Sequence, residues 1–354
     1  LTLTEYGLTP ARAAQQPAEL TLARITTQDR TLYTAATETG PVRAEVAGRL
    51  ANMAAGPEEF PAVGDWVLLR GTPTAGDVAI IERLLPRTSV FSRVAAGRSG
   101  AEQVVAANVD TLMLCMALDE NFNLRRMERY LAVANASGAM PAIVLTKADK
   151  APDLTDQLSA VRALSGNAPV VFCDATRTDG IVSLAALIEP GKTVAFLGSS
   201  GVGKTTLINR LLGEDRLATG AIRENDAHGR HTTTSRDLLL LPSGGIVIDT
   251  PGMRALSLLD ADTETTFADI TDLATQCRFN DCTHQQEPGC AVQAAIAAGT
   301  LDPERLASFR RLQEEQAVNV ALRGRARERA KIDQIFGSRK QMKQVMRTAK
   351  QRRR

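Results

Sequence analysis

The chain has 354 residues, 44% of them hydrophobic and 23% charged, a composition that excludes a disordered or fibrous protein and allows two or three domains with separate cores. No run of about 18 apolar residues occurs, the longest candidate being Leu112 to Leu118, and the start of the chain lacks a basic-then-apolar leader pattern, so a soluble cytoplasmic protein without membrane contact is expected. The net charge of +2 hides an asymmetry: residues 323–354 carry thirteen Lys or Arg against Glu328 and Asp333, a local +11 that leaves the rest at −9. Such a tail suits a polyanionic partner, because each cation placed on a phosphate releases counterions. A solvated helical tail is the plainer reading of the same charges.

An N-terminal extension, 1–19, precedes five short β-type runs: Leu22–Thr26, Thr31–Ala35, Arg43–Ala47, Trp66–Arg70 and Val78–Leu84. The turns between them carry Gly40-Pro41, Gly56-Pro57, Gly64-Asp65 and Gly76-Asp77. Residues 20–95 are therefore expected to form a small β-barrel of the OB-fold type. Such barrels commonly bind oligonucleotides, although a fold alone does not establish that use.

After Gly100 the pattern becomes that of an α/β sheet with crossover helices, and 96–257 is read as one central domain. Its strands are Thr111–Leu118, Ala142–Leu145, Val170–Phe172, Thr193–Leu197 and Ile246–Ile248. Leu124, Met127, Leu131 and Ala134 recur at helical spacing, as do Leu207, Ile208, Leu211 and Leu212, which marks them as core positions. From 258 to 322 the chain reads as helical with one cysteine-rich insertion, followed by the basic tail.

Gly198-Ser199-Ser200-Gly201-Val202-Gly203-Lys204-Thr205 matches a phosphate-binding P-loop, follows a strand and opens a helix near Gly203, with Thr206 next on that helix. Glycines let backbone N–H groups curl around phosphate, Lys204 reaches the β- and γ-phosphates, and Thr205 offers a hydroxyl to Mg²⁺. Thr146-Lys147-Ala148-Asp149 ends another strand; a carboxylate at Asp149 can accept both N–H donors of guanine, which adenine cannot supply, while the Lys147 stem lies along the base. Taken alone these four are better read as an ordinary loop. Asp249-Thr250-Pro251-Gly252 ends the strand Ile246–Ile248 as the acidic Mg²⁺-side motif of a P-loop hydrolase does: Asp249 would hold the ion, and Gly252 would give an N–H to the γ-phosphate. The polar run Gly229-Arg230-His231-Thr232-Thr233-Thr234 between them is expected to close on Mg²⁺ through Thr233.

Five cysteines in a reducing compartment argue against disulfides. Cys115 and Cys173 lie in apolar strands and read as core. Cys277, Cys282, His284 and Cys290 offer three thiolates and one imidazole in a short stretch, the ligand set of a closed structural Zn²⁺ site; reduced buried cysteines beside a chance histidine would be the alternative.

These motifs, in the order guanine motif, P-loop, switch loop, Asp-x-x-Gly, resemble the circularly permuted GTPases of the small-ribosomal-subunit biogenesis family, the RsgA type, over nearly the whole chain. Pro61-Ala62-Val63-Gly64-Asp65-Trp66 and Leu85-Pro86-Arg87-Thr88-Ser89 look like that family's barrel signatures. The resemblance implies an OB-fold, a zinc-binding C-terminal domain, and low intrinsic hydrolysis of GTP to GDP stimulated by the small subunit and its rRNA. It offers His231 as the residue that activates water, since Met253, where many GTPases carry a water-orienting Gln, is apolar. It also puts a guanine-oxygen contact at Asp174-Ala175, through the Ala175 N–H. Thr146 departs from the Asn of many GTPases, so the carboxamide bonds that tie the base and neighbouring loops are expected to be missing. The expected protein is a monomeric Mg²⁺-dependent GTPase of late small-subunit assembly that hydrolyses GTP there and leaves. Two further readings stand beside it: an RNA-binding assembly factor that uses GTP occupancy as a switch with negligible turnover, and a P-loop ATPase or kinase, which the Asp149 motif disfavours.

Overall fold

Period-two alternation builds the N-terminal barrel from β1 (Leu20–Asp29), β2 (Leu32–Thr37), β3 (Gly40–Val46), β4 (Trp66–Arg70) and β5 (Val78–Leu84). In the computed structural model, which describes residues 2–29, 31–54, 56–73, 76, 78–94, 102–150, 155–177, 179–217, 236–249 and 261–336, these strands close in the order β1-β2-β3-β5-β4-β1. Only β3 and β5 run parallel. Successive side chains of a strand face opposite sides, so Ala23 and Ile25, Tyr33 and Ala35, Val42 and Ala44, Val67 and Leu69, and Ala79 and Ile81 all turn inward and fill the barrel. The alternate residues Leu22, Ala36, Trp66 and Leu68 pack outside it with Leu3 and Leu85. A short α1 (Pro10–Ala13) lies in the extension, and α2 (Gly48–Met53) and a 3₁₀ turn, Pro57–Glu59, connect β3 to β4.

A hairpin that the sequence reading did not anticipate follows, β6 (Val90–Val94) with β7 (Glu102–Ala107). Val90, Phe91 and Val94 in one strand and Val104-Val105 in the other favour extended chain, but Ser92-Arg93 and the closing alanines break the alternation, and cross-strand pairing completes the hairpin. Then come β8 (Thr111–Ala117), α3 (Leu124–Ser137), β9 (Met140–Thr146), α4 (Thr155–Ser165), β10 (Val170–Cys173), α5 (Val182–Ala185), β11 (Thr193–Leu197), α6 (Lys204–Leu212), β12 (Arg236–Leu240) and β13 (Ile246–Asp249). Strands β10-β9-β8-β11-β13 lie side by side and parallel, as the α/β reading expects.

β12 was not foreseen, since Leu238-Leu239-Leu240 carries no β-branched residue. It runs antiparallel to β13 and also pairs with β1, with Thr27 opposite Asp237 and Gln28 opposite Arg236. Barrel and central sheet thereby share one continuous sheet of eleven strands.

Alternation also sorts the two faces of the central sheet. Leu112, Leu114, Met116, Ile143 and Leu145 join Met127, Leu131 and Ala134 of α3 on one side. Met113, Cys115, Ala142, Val144 and Phe196 join Leu207, Ile208 and Leu212 of α6 on the other. The C-terminal helices α7 (Thr263–Thr266), α8 (Ala268–Ala274), α9 (Ala291–Ala297) and α10 (Pro303–Phe336) bring Phe267, Ile270, Val292, Phe309 and Leu312 into the α3 side. At the α3 seam the fully buried Glu128 carboxylate accepts from Arg125 Nη1 (2.6 Å) and Arg305 Nη1 (2.9 Å). The basic segment begins inside α10, since that helix runs to Phe336. Among the described residues no helix is long and apolar enough to cross a membrane.

Arg24 of β1 is buried where the extension, the barrel and the central sheet meet. Its Nη1 donates to the Tyr6 carbonyl, Nε to Gly64 O (3.3 Å), and Nη2 to Asn108 O (3.3 Å) and to Thr193 Oγ1 (2.9 Å). Burial, and then the neighbouring Arg12, push its guanidinium down to about 9, which still leaves it protonated at neutral pH. Both arginines stand over the ring of Trp66, the sole tryptophan, at 5.3 and 5.7 Å from its centroid. Arg24→Ala takes the donor from the Asn108 carbonyl, the Thr193 hydroxyl and the part-buried Tyr6 carbonyl at ~1–3 kcal/mol each, while Gly64 O keeps Asn108 Nδ2 (3.1 Å). We expect it to lower unfolding stability by about 3 kcal/mol or more and to shift Trp66 emission to the red in the folded state. An unchanged denaturant midpoint would remove Arg24 from this role.

Candidate nucleotide and metal sites

The loop Gly198 to Thr205 joins the end of β11 to the start of α6. Its glycines are there for backbone reasons: Gly201 and Gly203 adopt φ of +77° and +97°, and a Cβ on Gly198 would lie 2.7 Å from the Cys115 carbonyl. Ser199 and Ser200 fill the turn between them, and the helix opens at Lys204, so the N–H groups of Thr205 and Thr206 fall in its first turn, ahead of the intrahelical ladder. That end of a helix favours anions. Lys204 Nζ lies across the loop, donating to Gly198 O (2.5 Å) and Ser199 O (2.8 Å).

Thr146 ends β9, is buried, and donates from Oγ1 to the Val202 carbonyl at 2.7 Å. The asparagine carboxamide is missing, but the threonine hydroxyl supplies a tie between the guanine motif and the P-loop. It can do so because Val202 is itself buried and brings its carbonyl to the strand end. Lys147, next in the chain, takes a left-handed φ of +57°, a conformation a β-carbon disfavours and that is held only where the surroundings impose it. Its Nζ pairs with Asp119 Oδ2 at 2.8 Å, and this hydrogen bond holds the Asp119 carboxyl below its ordinary value. Asp149 follows in a 3₁₀ turn, Ala148–Lys150, exposed at the surface.

Asp174 and Ala175 follow the end of β10. The Asp174 carboxylate accepts from Thr176 N (2.9 Å) and Thr176 Oγ1 (2.5 Å), so it shapes its own turn, and the Ala175 carbonyl accepts from Arg210 Nε (3.2 Å). Asp249 is the last residue of β13, beside β11. Thr146, Asp174, Gly198 and Asp249 thus all stand at the carboxyl ends of neighbouring parallel strands, where open α/β sheets place ligands. His231, Thr233 and Gly252 lie outside the described residues.

Two residues that sequence reasoning passed over border the site. Asp119 sits just past β8, a position whose only signal was polarity at a strand's carboxyl end. Arg126, on an α3 whose start is capped by Asn123 Oδ1 accepting from its own N–H (3.0 Å), reaches Ser199 Oγ at 3.4 Å. Cys115 and Cys173 are core as expected, their thiols pushed by burial up to about 12 and about 11.

Cys277, Cys282, His284 and Cys290 gather between α8 and α9, their ligand atoms within 4.8 Å of one another. Cys277 Sγ is 3.8 Å from Cys290 Sγ, and both are 3.6 Å from His284 Nδ1. Those separations are what tetrahedral ligands at ~2.3 Å (sulfur) and ~2.0–2.1 Å (nitrogen) from one centre require. Burial, then Arg310, lowers the His284 pKa, which favours the neutral ring that ligates metal. His284 has a φ of +59°, and its carbonyl accepts from Gln293 Nε2 (2.5 Å) and Arg310 Nη2 (2.5 Å), so α9 and α10 hold it in place. The donor set fits structural zinc and leaves no position for a reacting water.

Comparisons with known proteins agree with this geometry. Residues 84–259 match the family model described as RsgA GTPase. A small ribosomal subunit biogenesis GTPase RsgA 2 of Lactiplantibacillus plantarum is 50% identical over 347 residues, covering 98% of this chain and 97% of that protein. The small ribosomal subunit biogenesis GTPase RsgA of Opitutus terrae is 52% identical over 288 residues, 78% of each chain. Among solved structures, YjeQ from Thermotoga maritima is similar with a TM-score of 0.60 at 26% identity, over 84% of this chain and 99% of its own. YloQ, described as a circularly permuted GTPase, shares the fold with a TM-score of 0.59 at 22% identity, over 85% and 96%.

Thr146→Val keeps shape and removes the hydroxyl, so the tie to Val202 is lost at ~0.5–1.5 kcal/mol. GTP affinity, read by titration with a fluorescent analogue, should fall ~2- to 12-fold; unchanged affinity would show that the tie does not order the loop. Cys282→Ser should abolish stoichiometric zinc and lower the melting midpoint by about 5 °C or more. A zinc-free variant melting like the parent would argue against a structural metal.

Proposed function

Since the chain belongs to the RsgA family of small ribosomal subunit biogenesis GTPases, we propose a specific division of labour among its residues for binding and hydrolysing GTP during assembly of the small subunit. The observation that carries it is the convergence of the guanine motif and P-loop at one sheet edge, joined by the Thr146–Val202 hydrogen bond.

Asp149 accepts the ring N–H and exocyclic amine of guanine. Lys147, oriented by Asp119, lays its stem along the base, and the Ala175 N–H meets the guanine oxygen from the turn that Asp174 shapes. Backbone N–H groups of Gly198 through Thr205 and the first turn of α6, including Thr206, surround the phosphates. Lys204 leaves its loop carbonyls for the β- and γ-phosphate oxygens, which as anions are the stronger acceptors. Thr205, Thr233 and Asp249 are the residues that would hold Mg²⁺, which when bound neutralises charge on the phosphates. Gly252 senses the γ-phosphate through its N–H.

In hydrolysis, His231 takes or orients the proton of a water that attacks the γ-phosphorus, the bond to the β–γ bridging oxygen breaks, and GDP and phosphate result. Met253 cannot serve, having no polar atom. The ribosomal subunit stimulates the reaction by setting His231, and hydrolysis releases the protein from the subunit. The basic tail and the barrel engage rRNA, largely through phosphates and shape. The protein acts as a monomer in the cytoplasm, where its substrate particle is.

Steady-state hydrolysis is to be compared with and without purified small subunits, for the parent and for His231→Ala. The parent should be stimulated, and the variant should lose ~10²–10⁴-fold of the stimulated rate while binding GTP as before. Stimulated hydrolysis at the parent rate would dismiss His231.

A further inference from the structure

A cavity of about 480 Å³ opens on the barrel, lined by Gln28, which stands opposite Arg236, next to the Asp237 that pairs with Asp249. Gln28, Tyr33 and Glu45 line it from β1, β2 and β3, Pro57 and Phe60 from the connection to β4, and Gln103 from the β6–β7 hairpin. Neither barrel nor hairpin forms it alone. Arg236, the first residue of β12, fastens the two walls together, Nη1 donating to Gln28 Oε1 (3.3 Å) and to the Val104 carbonyl (3.1 Å).

The lining defines the ligand chemistry. Phe60 and the proline present flat apolar surface, on which an aromatic base stacks, while the barrel-core Tyr33 closes the floor. Gln103 Oε1 accepts from Arg93 Nε and Nη2, both at 3.2 Å, which fixes the amide with its NH₂ as the donor end. Glu45 is exposed and accepts only. Among the described lining residues the one charged group is the Glu45 carboxylate, an acceptor that matches a ring bearing N–H groups. The volume lies in the range of small-ligand sites, ~300–1,000 Å³, and holds a base with its sugar. A base in a duplex hides both faces and its pairing edge, so the matching occupant is unpaired.

We infer that this cavity is a binding site for one unstacked nucleobase, packed against Phe60 and read at its amino edge by Glu45 with Gln103. It rests on the ribosomal reading above for its source, single-stranded RNA; a free nucleoside offers the same chemistry.

The test fills the nucleotide site with a non-hydrolysable GTP analogue and titrates the protein with a single-stranded RNA tetranucleotide carrying one 2-aminopurine, and separately with 2-aminopurine riboside. Stacking quenches this fluorophore. Saturable quenching is expected, with affinity weakened about tenfold in Phe60→Ala and also reduced in Glu45→Ala, an exposed position where folding is not at stake. Tighter binding of the RNA identifies RNA as the source, and equal binding of the riboside identifies a free nucleoside; both support the pocket. Absent quenching, or parent-like affinity in both folded variants, overturns it. Cosedimentation of the parent with small subunits is measured alongside: if it is retained without quenching, the pocket alone fails, and if it is lost while quenching persists, the ribosomal reading fails.

Discussion

The burial of one cation, Arg24, organises the molecule. A guanidinium withdrawn from water must spend its N–H groups on acceptors, and here those acceptors come from three parts of the chain: Tyr6 of the extension, Gly64 of the barrel, and Asn108 and Thr193 at the start of the central sheet. None of these segments can move apart without stranding buried polar atoms. Thr193 is the first residue of the strand that delivers the P-loop. The barrel is thereby referenced to the nucleotide site through the length of a single strand, and the β1–β12 pairing adds a second attachment.

At the other end of that strand the constraint is geometric. Parallel strands share a direction, so every loop following a carboxyl end emerges on the same edge. The guanine motif precedes the P-loop in the chain, yet β9 lies just one strand, β8, away from β11. Permuting the order of connections leaves this edge intact. Helix α3 extends its reach: Arg126 touches Ser199 of the P-loop, while Glu128 and Arg129 are held by Arg305 and Glu315 of α10. The zinc cluster packs behind the same helices, its cysteines against the α3-side core. One helix thus touches the P-loop at one end and the C-terminal domain along its flank.

The motifs were legible because backbone chemistry demands particular residues. Glycines at 198, 201 and 203 are required where a Cβ would collide or φ is positive. Three cysteines and a histidine at short spacing leave few uses other than metal. The barrel strands were readable from alternation, since inward and outward residues differ in kind along β2 and β3. The hairpin β6–β7 and strand β12 were not, because Ser92-Arg93 interrupts the alternation of the first and the leucines of the second lack β-branching, and those strands exist through their partners.

The sequence by itself determined the candidate chemistry: which residues are suited to phosphate, guanine and metal, since each of these needs a given atom type at a given spacing. Tertiary structure alone decided how these pieces are joined. That Thr146 replaces a carboxamide by reaching the Val202 carbonyl, that Asp119 orients Lys147, and that Arg24 locks the barrel to the P-loop strand are contacts between residues distant in the chain. Spacing carries no record of them, because a hydrogen bond between distant segments depends on where folding brings its two ends.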